Sequence, residues 1–391
     1  MKSQPIIGIY ARRSNKGTNP ERPFKGLTGV FTRLQEAAAR NDAVAYVFTP
    51  EDVDFTNSVI QGHTVSEGEW SVQEFPLPNS IYDRGFFIKP TNDEKNVARQ
   101  FRKDVRERGI PYLVSRKIPP IVNKKLGFAE LMHRKGIPHP ATREYSKSSV
   151  VEMLENHDSL YIKPDDGAMG IGIITATRQG TDWFTLGYKR RISGKKFEPI
   201  LQDVGISDVS MAITLIRHDL GTDERGYIVQ EAVPIYEHEG KQTDVRVVMQ
   251  RDGHGILGVT SVFVRVGGNY SQGGKLVVSE VVLEGIAHQT GQSPSTIRDE
   301  TEDISKKCFI AVEEESGVEA ADLGLDIVYT EQGLHVVIEA NIKQGDLLTG
   351  LLKEVKGTSL EARVREERDA FFNKTIQFGV RQVEALQATY Q

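Results

Sequence analysis

Residues 326–345, reading DIVYTEQGLHVVIEANIKQG, constrain this chain more than any other stretch. Leu323, Leu325, Ile327 and Tyr329 alternate along a first strand. Residues 330–333 are turn chemistry, and Leu334, Val336 and Ile338 alternate along a second strand. The pattern is that of an antiparallel hairpin. Glu339 and Asn341 lie two apart and so share a face. A four-residue turn pairs Tyr329 with Leu334 and sets Asp326 opposite Val337, on the face of Glu339 and Asn341. Two carboxylates and an amide oxygen on one face make a hard-oxygen set suited to magnesium. A one-residue slip would send Asp326 to the other face. The plain alternative is a solvated polar face on an edge hairpin.

With 391 residues the chain has room for two or three domains with sizeable cores. Charged residues make up 26% and hydrophobic ones 38%, the balance of an ordinary globular protein. A net charge of −5 offers nucleic acid no bulk attraction, although Lys189–Arg191 with Lys195 and Lys196 could hold phosphates locally. Cys308 is the single cysteine, so no internal disulfide and no thiol-rich metal site can form. Set in an amphipathic helix, it reads as a small buried hydrophobe. The first residues carry too short an apolar run for a signal peptide, and no stretch approaches the roughly 20 apolar residues of a membrane helix. The expectation is a cytoplasmic protein with no membrane and no nucleic-acid partner.

Strands are expected at 6–10, 44–48, 80–84 and 110–114, with helices at 27–38 and 96–108, which makes an α/β domain over 1–117. The turns lack GxGxxG, which argues against a dinucleotide fold. Residues 118–121 hold two prolines and read as a linker. A helix over 123–135 follows, capped by Asn123 and ended by Gly136. Ser146 or Ser148 caps the next, to Asn156. Further strands are expected at 160–163, 173–177, 227–233, 243–250 and 256–266, and helices at 304–316 and 360–386. The last helix is long enough to pack across a domain or to form part of a homodimer surface. The chain divides at 117 and 233, giving 1–117, 118–233 and 234–391, in a mixed α/β (α+β) architecture.

Two more features carry chemistry. Between the strands at 160–163 and 173–177 runs the loop PDDGAMGIG, where Gly167, Gly170 and Gly172 would let backbone N–H groups wrap phosphate oxygens. Lys163 enters this loop and could add a charge-assisted contact. No GK[ST] opens a helix, so it is not a Walker A loop. An ordinary glycine-containing hairpin is the alternative. Arg246, which shares a strand face with Asp244 and Val248, and Arg265 each require an anionic partner if buried, whether a substrate phosphate or a structural carboxylate. No Ser/His/Asp set and no HExxH occurs, which weighs against a hydrolase or a zinc enzyme.

Lys125 followed by IPHP, then KPDDGAMGIG, IVQEAV, DVRVV, FVRVGG and LGLDIVYTEQGLHVVIEANIKQG, resembles the motif order of the ATP-grasp superfamily over residues 118–352, about 60% of the chain. The stretch FTPEDVDF…GHTVSEGEW…FPLPNSIYDRG resembles the YheC/YheD family of spore-coat-associated ATP-grasp proteins. The resemblance implies an ATP-grasp fold behind an N-terminal α/β domain. It also implies roles. Lys125, with Lys124 as rival, and Lys163 would contact nucleotide phosphates, and a flap at 166–170, including Gly167, Ala168 and Gly170, would close over them. Gln230 and the backbone of Glu231 to Val233 would meet adenine, and Glu237 the ribose. Arg246 would face the triphosphate, and Arg265 the transferring phosphoryl group or the acyl oxygen. Asp326, Glu339 and Asn341 match the ligands for magnesium, with manganese as a substitute.

Three departures stand out. Ala168 replaces the usual flap serine. Gln344-Gly345 replaces the usual proline-glycine after the asparagine. His238 and Glu239 follow Glu237 and blur the ribose register. The implied chemistry is activation of a small carboxylate by ATP through an acylphosphate, followed by amide or peptide bond formation with an amine. An amino acid or a peptide would suit as substrate. A nucleotide-binding structural protein of a coat, or a kinase that stops at phosphoryl transfer, is the alternative. Arg12, Arg13 and Lys16 could hold a substrate carboxylate, or simply form a solvated basic loop.

Overall fold

Among the described residues, three six-stranded sheets organise the chain. The computed structural model describes residues 4–12, 16–85, 91–114, 116–166, 171–193, 196–222, 226–267, 275–342 and 347–389. In the first sheet Ile6–Tyr10 lies between Val44–Phe48 and Ser80–Asp83 and runs parallel to both. These strands are almost wholly buried, as a parallel sheet covered on both faces requires. Phe101 and Val105 of helix Asn92–Glu107 pack on one face with Tyr10, Phe48 and Ile81. Helix Thr28–Arg40 and the final helix, Glu361–Thr389, cover the other. The hairpin Val59–Ser66 and Glu69–Pro76 extends this sheet and was not expected. Glu69–Pro76 has no buried residue, so it offers no apolar stripe to read. The strand expected at 110–114 shrinks to single bridges, Tyr112 to Ile81 and Val114 to Ala320. Pro111 cannot donate to a ladder.

The proline pair does not make a linker. Pro119–Val122 is a short helix with Ile118 and Val122 in the core beside helix Pro294–Ser316. Proline suits a first helical turn, whose N–H groups have no partner within the helix. The next helix is Lys125–Arg134, and Asn123 does not cap it. Its cap comes from outside: the Lys125 N–H donates to Asp165 O at 3.0 Å and the Leu126 N–H to Asp165 Oδ1 at 2.9 Å. The second sheet is antiparallel, in the order Lys196–Gly205, Trp183–Ser193, Ile174–Arg178, Ser159–Pro164, Tyr227–Glu231, Thr142–Glu144. Helices Lys147–Asn156, capped by Ser146, and Val209–Asp219 bury their apolar stripes against it.

The third sheet runs Lys275–Val278, Leu257–Val266, Lys241–Arg251, Asp322–Tyr329, His335–Asn341 and is antiparallel throughout. Val245, Val247, Leu323, Leu325, Ile327 and Val337 face helices Ser279–Thr290 and Pro294–Ser316. Cys308 is fully buried in that core. The opposite face meets the final helix, whose Phe371, Phe372, Ile376 and Val383 share one cluster with Val248 and Phe263 of the third sheet, Ile7 of the first sheet, and Val30 and Phe31 of helix Thr28–Arg40. The stripe that might have formed a dimer surface is therefore buried within the chain. Among the described residues no helix is long and apolar enough to cross a membrane.

Candidate active site

The hairpin forms, in a different register from the one the sequence suggested. The turn extends through Leu334, since the Thr330 N–H reaches Leu334 O and Leu334 itself is exposed. Tyr329 pairs with His335, and Ile327, not Asp326, sits opposite Val337. A β-bulge then leaves Ile338 unpaired and brings Asp326 opposite Glu339 and Gly324 opposite Asn341. The three expected oxygen donors thus still share a face. Asn341 Nδ2 donates to Asp326 Oδ2 and to Glu339 Oε1, 3.2 Å each.

Cross-strand pairing assembles the rest. Arg246 is the register partner of Asp326, and Arg265 that of Asp244. Arg246 grips Asp326 with Nε and with Nη2, the latter at 3.0 Å. Arg265 Nε donates to Asp244 Oδ1 at 2.5 Å, and its Nη2 lies 3.1 Å from Asp326 Oδ2. Burial works against ionising Asp326, but Arg246 and Arg265 outweigh it and hold the carboxyl at about 2. Burial pushes the Asp244 carboxyl up to about 6, with Arg265 opposing and Asp326 reinforcing. Glu339 is likewise pushed up, by burial and then by Asp326.

Lys163 arrives from the second sheet, where Nζ donates to Gln230 Oε1 at 2.6 Å and Gln230 Nε2 donates to Thr142 Oγ1 at 2.8 Å. Burial lowers the Lys163 ammonium to about 8, Glu339 opposes, and Lys125 reinforces. The charges of Glu339 and Lys125 thus act on Lys163 in opposite directions. Lys124 turns instead to the loop, 3.3 Å from Asp165 and 3.8 Å from Asp166. The Glu231 carboxylate accepts from the Ala141 N–H at 3.1 Å, the Glu231 N–H donates to Ala141 O at 2.8 Å, and the Ala232 N–H donates to Ser159 O at 2.9 Å. Val233 packs with Val328, Val336 and Ile338 of the hairpin. Glu237 is exposed on a two-residue strand paired with Gln242. Gly167, Ala168 and Gly170, like Arg13, Gln344 and Gly345, lie outside the described residues.

The donor set fits a hard cation. Among the described residues no three His, Cys, Asp or Glu side chains gather, so the fit depends on the amide. Asn341 already points at one carboxylate oxygen from each acid, and exchanging its amide O and N would turn a third oxygen to the same point.

Two neighbours had not been assigned a role. Asp244 is signalled in sequence only by standing two before Arg246 on one strand face. His139, inside the IPHP motif, packs edge-on to Phe128. Burial lowers its imidazole to about 4, and nearby Lys163 contributes to that shift.

A family model described as YheC/D like ATP-grasp matches residues 122–361. The endospore coat-associated protein YheD of Bacillus subtilis (strain 168) is 26% identical over 281 residues, covering 68% of this chain and 56% of that protein. The chain thus spans about half the length of this curated relative. Among solved structures, the D-alanine-D-alanine ligase from Coxiella burnetii matches with a TM-score of 0.53 at 10% identity, covering 99% of this chain and 98% of the other. The VanG D-Ala:D-Ser ligase from Enterococcus faecalis gives 0.53 at 12%, covering 96% and 100%. The D-cycloserine synthetase DcsG gives 0.52 at 11%, covering 97% and 99%. At such identities the likeness is one of fold. With the family model covering well over half of the chain, the chain belongs to the YheC/D-like ATP-grasp family.

Proposed function

We propose that this chain is an ATP-dependent carboxylate–amine ligase that forms an amide or peptide bond. One arrangement supports the reading: Asp326, Glu339 and Asn341 share a hairpin face beside the Arg246 and Arg265 guanidinium groups, and Lys163 of the second sheet is held by Gln230. Such an arrangement suits a triphosphate laid between cations and metal-binding carboxylates.

In this reading Lys163 and Lys125 neutralise nucleotide phosphates. Gln230 and the backbone of Glu231 to Val233 take the adenine edge, and Glu237 the ribose. Asp326, Glu339 and Asn341 would hold magnesium, or manganese in its place, which lowers the repulsion between the triphosphate and an incoming carboxylate. Arg246 faces the triphosphate. A substrate carboxylate oxygen attacks the γ-phosphorus, the bond to the β,γ-bridging oxygen breaks, and ADP leaves. The amine then attacks the acyl carbon of the acylphosphate, phosphate departs with the C–O bonding pair, and the nitrogen loses a proton to solvent. Arg265 stabilises the oxyanion formed in that step. The proposal takes small amino acids or peptides as substrates and the cytoplasm as the setting.

The test is ADP release from the purified protein with Mg-ATP, screened against amino acids and short peptides singly and in pairs. A product whose mass is the sum of two partners minus water establishes the ligase. A stable phosphorylated product from one partner replaces it with a kinase. The coat association of the relative YheD favours a second reading, a nucleotide-binding structural protein. Nucleotide binding without turnover across the screen would favour it.

A further inference from the structure

Asp326 Oδ2 is crowded. It lies 3.0 Å from Arg246 Nη2, 3.1 Å from Arg265 Nη2 and 3.2 Å from Asn341 Nδ2. A carboxylate oxygen offers two lone pairs, so a cation that takes this oxygen must displace donors. The three donors differ in what else holds them. Arg246 is the cross-strand partner of Asp326 and grips both of its oxygens. Arg265 is the cross-strand partner of Asp244 and reaches Asp326 only diagonally, with Nη2. The Asp244 carboxylate is itself almost fully buried, 5% exposed, and faces the arginine at 2.5 Å. A buried arginine cannot be released without an anionic partner to receive it.

We propose that Asp244 is a positioning residue: it retains Arg265 when a divalent cation takes Asp326, turning Nη2 from a competitor of the metal into a donor free to face the reacting group. The inference rests on reading Asp326 as a metal ligand. It assigns Asp244 no contact with substrate. Its effect passes through Arg265.

The test is Mn2+ binding by the nucleotide-free protein, followed by electron paramagnetic resonance, which needs no turnover. Asp244→Asn should weaken Mn2+ binding about tenfold, the usual scale for losing a partner that orients a metal ligand. Arg265→Gln should bind Mn2+ at least as tightly as wild type. The double variant should recover the affinity that Asp244→Asn loses, because the stranded competitor is gone. Asp244→Glu, which keeps the charge, should stay close to wild type.

Plain loss of a negative charge near the metal makes the opposite forecast for the double variant, no recovery. That outcome overturns the proposal. So does an Asp244→Asn protein that binds Mn2+ normally, or Mn2+ binding that is absent from wild type and Arg265→Gln alike. Should Asp244→Asn fail to fold, Arg265→Gln decides alone: weaker Mn2+ binding there refutes the competition. A chain that follows the expected pattern yet releases no ADP keeps this inference and loses the ligase reading.

Discussion

Asp326 faces Glu339 directly across the hairpin, and the bulge at Ile338 is what brings them level. The two carboxylates sit in one site, and their surroundings shift them in opposite directions. Asp326 is clamped by Arg246 and Arg265, whereas burial and Asp326 itself push Glu339 toward the neutral form. Asp326→Asn removes the carboxylate that Arg246 grips with two nitrogens and should cost about 3–5 kcal/mol of stability. Glu339→Gln should leave the urea midpoint nearly unchanged. Both should lose ADP release. Equal urea midpoints for the two variants would refute the asymmetry.

Lys163 should carry much of the nucleotide affinity. A charge-assisted hydrogen bond to phosphate is worth about 1.5–3 kcal/mol, so Lys163→Met should weaken ADP binding roughly 10- to 100-fold by calorimetry. The fold should survive, because the contact it loses is the 2.6 Å bond to Gln230, whose amide also holds Thr142. Unchanged ADP affinity would remove Lys163 from the phosphate site.

Asp322 gives a pH signature remote from the metal ligands. It is fully buried, accepts from the Tyr82 hydroxyl at 3.2 Å, and has its other oxygen unbonded. Burial raises its carboxyl to about 6, with the Arg84 guanidinium opposing. An unfolded aspartate titrates near about 3.9, so the native state binds this proton more tightly. The contribution is complete below about pH 4 and is lost as the pH rises through about 6. Relative to Asp322→Asn, wild type should therefore gain about 2 kcal/mol as the pH falls from 7.5 to 4, read from urea midpoints. A constant difference would mean that Asp322 ionises as in water.

Gly379 in the final helix tests how closely that helix meets the first sheet. An added Cβ would lie 3.0 Å from Ile7 and 3.1 Å from Leu113, both at the ends of flexible side chains. Alanine should be close to neutral, since mild crowding is set against about 1 kcal/mol of helix propensity. Leucine should cost about 1–3 kcal/mol in chemical denaturation. A neutral Gly379→Leu would mean that the helix does not pack there.

Much of the site could be read before the fold was known, because its donors are spaced by local rules. Glu339 and Asn341 share a face through strand alternation, and so do Asp244 and Arg246. The glycines of residues 167–172 announce a loop whatever surrounds it. The hairpin Val59–Ser66 and Glu69–Pro76 escaped because its outer strand buries nothing. The linker expected at the proline pair was a buried helical turn because tertiary packing on helix Pro294–Ser316 overrode a local breaker signal. Asn123 lost its expected cap to Asp165, a residue 42 positions away in the chain.

The sequence by itself determined most of the elements, the alternation that segregates apolar from chemical residues, and the family those motifs belong to. Each follows from neighbours a few positions apart. Only the tertiary structure decided the register at Asp326, the sharing of Arg265 between Asp244 and Asp326, and the bond of Lys163 to Gln230. Those contacts join residues as much as 67 positions apart in the chain. One unpaired residue in a bulge moves a carboxylate from core to site, and local periodicity carries no record of it.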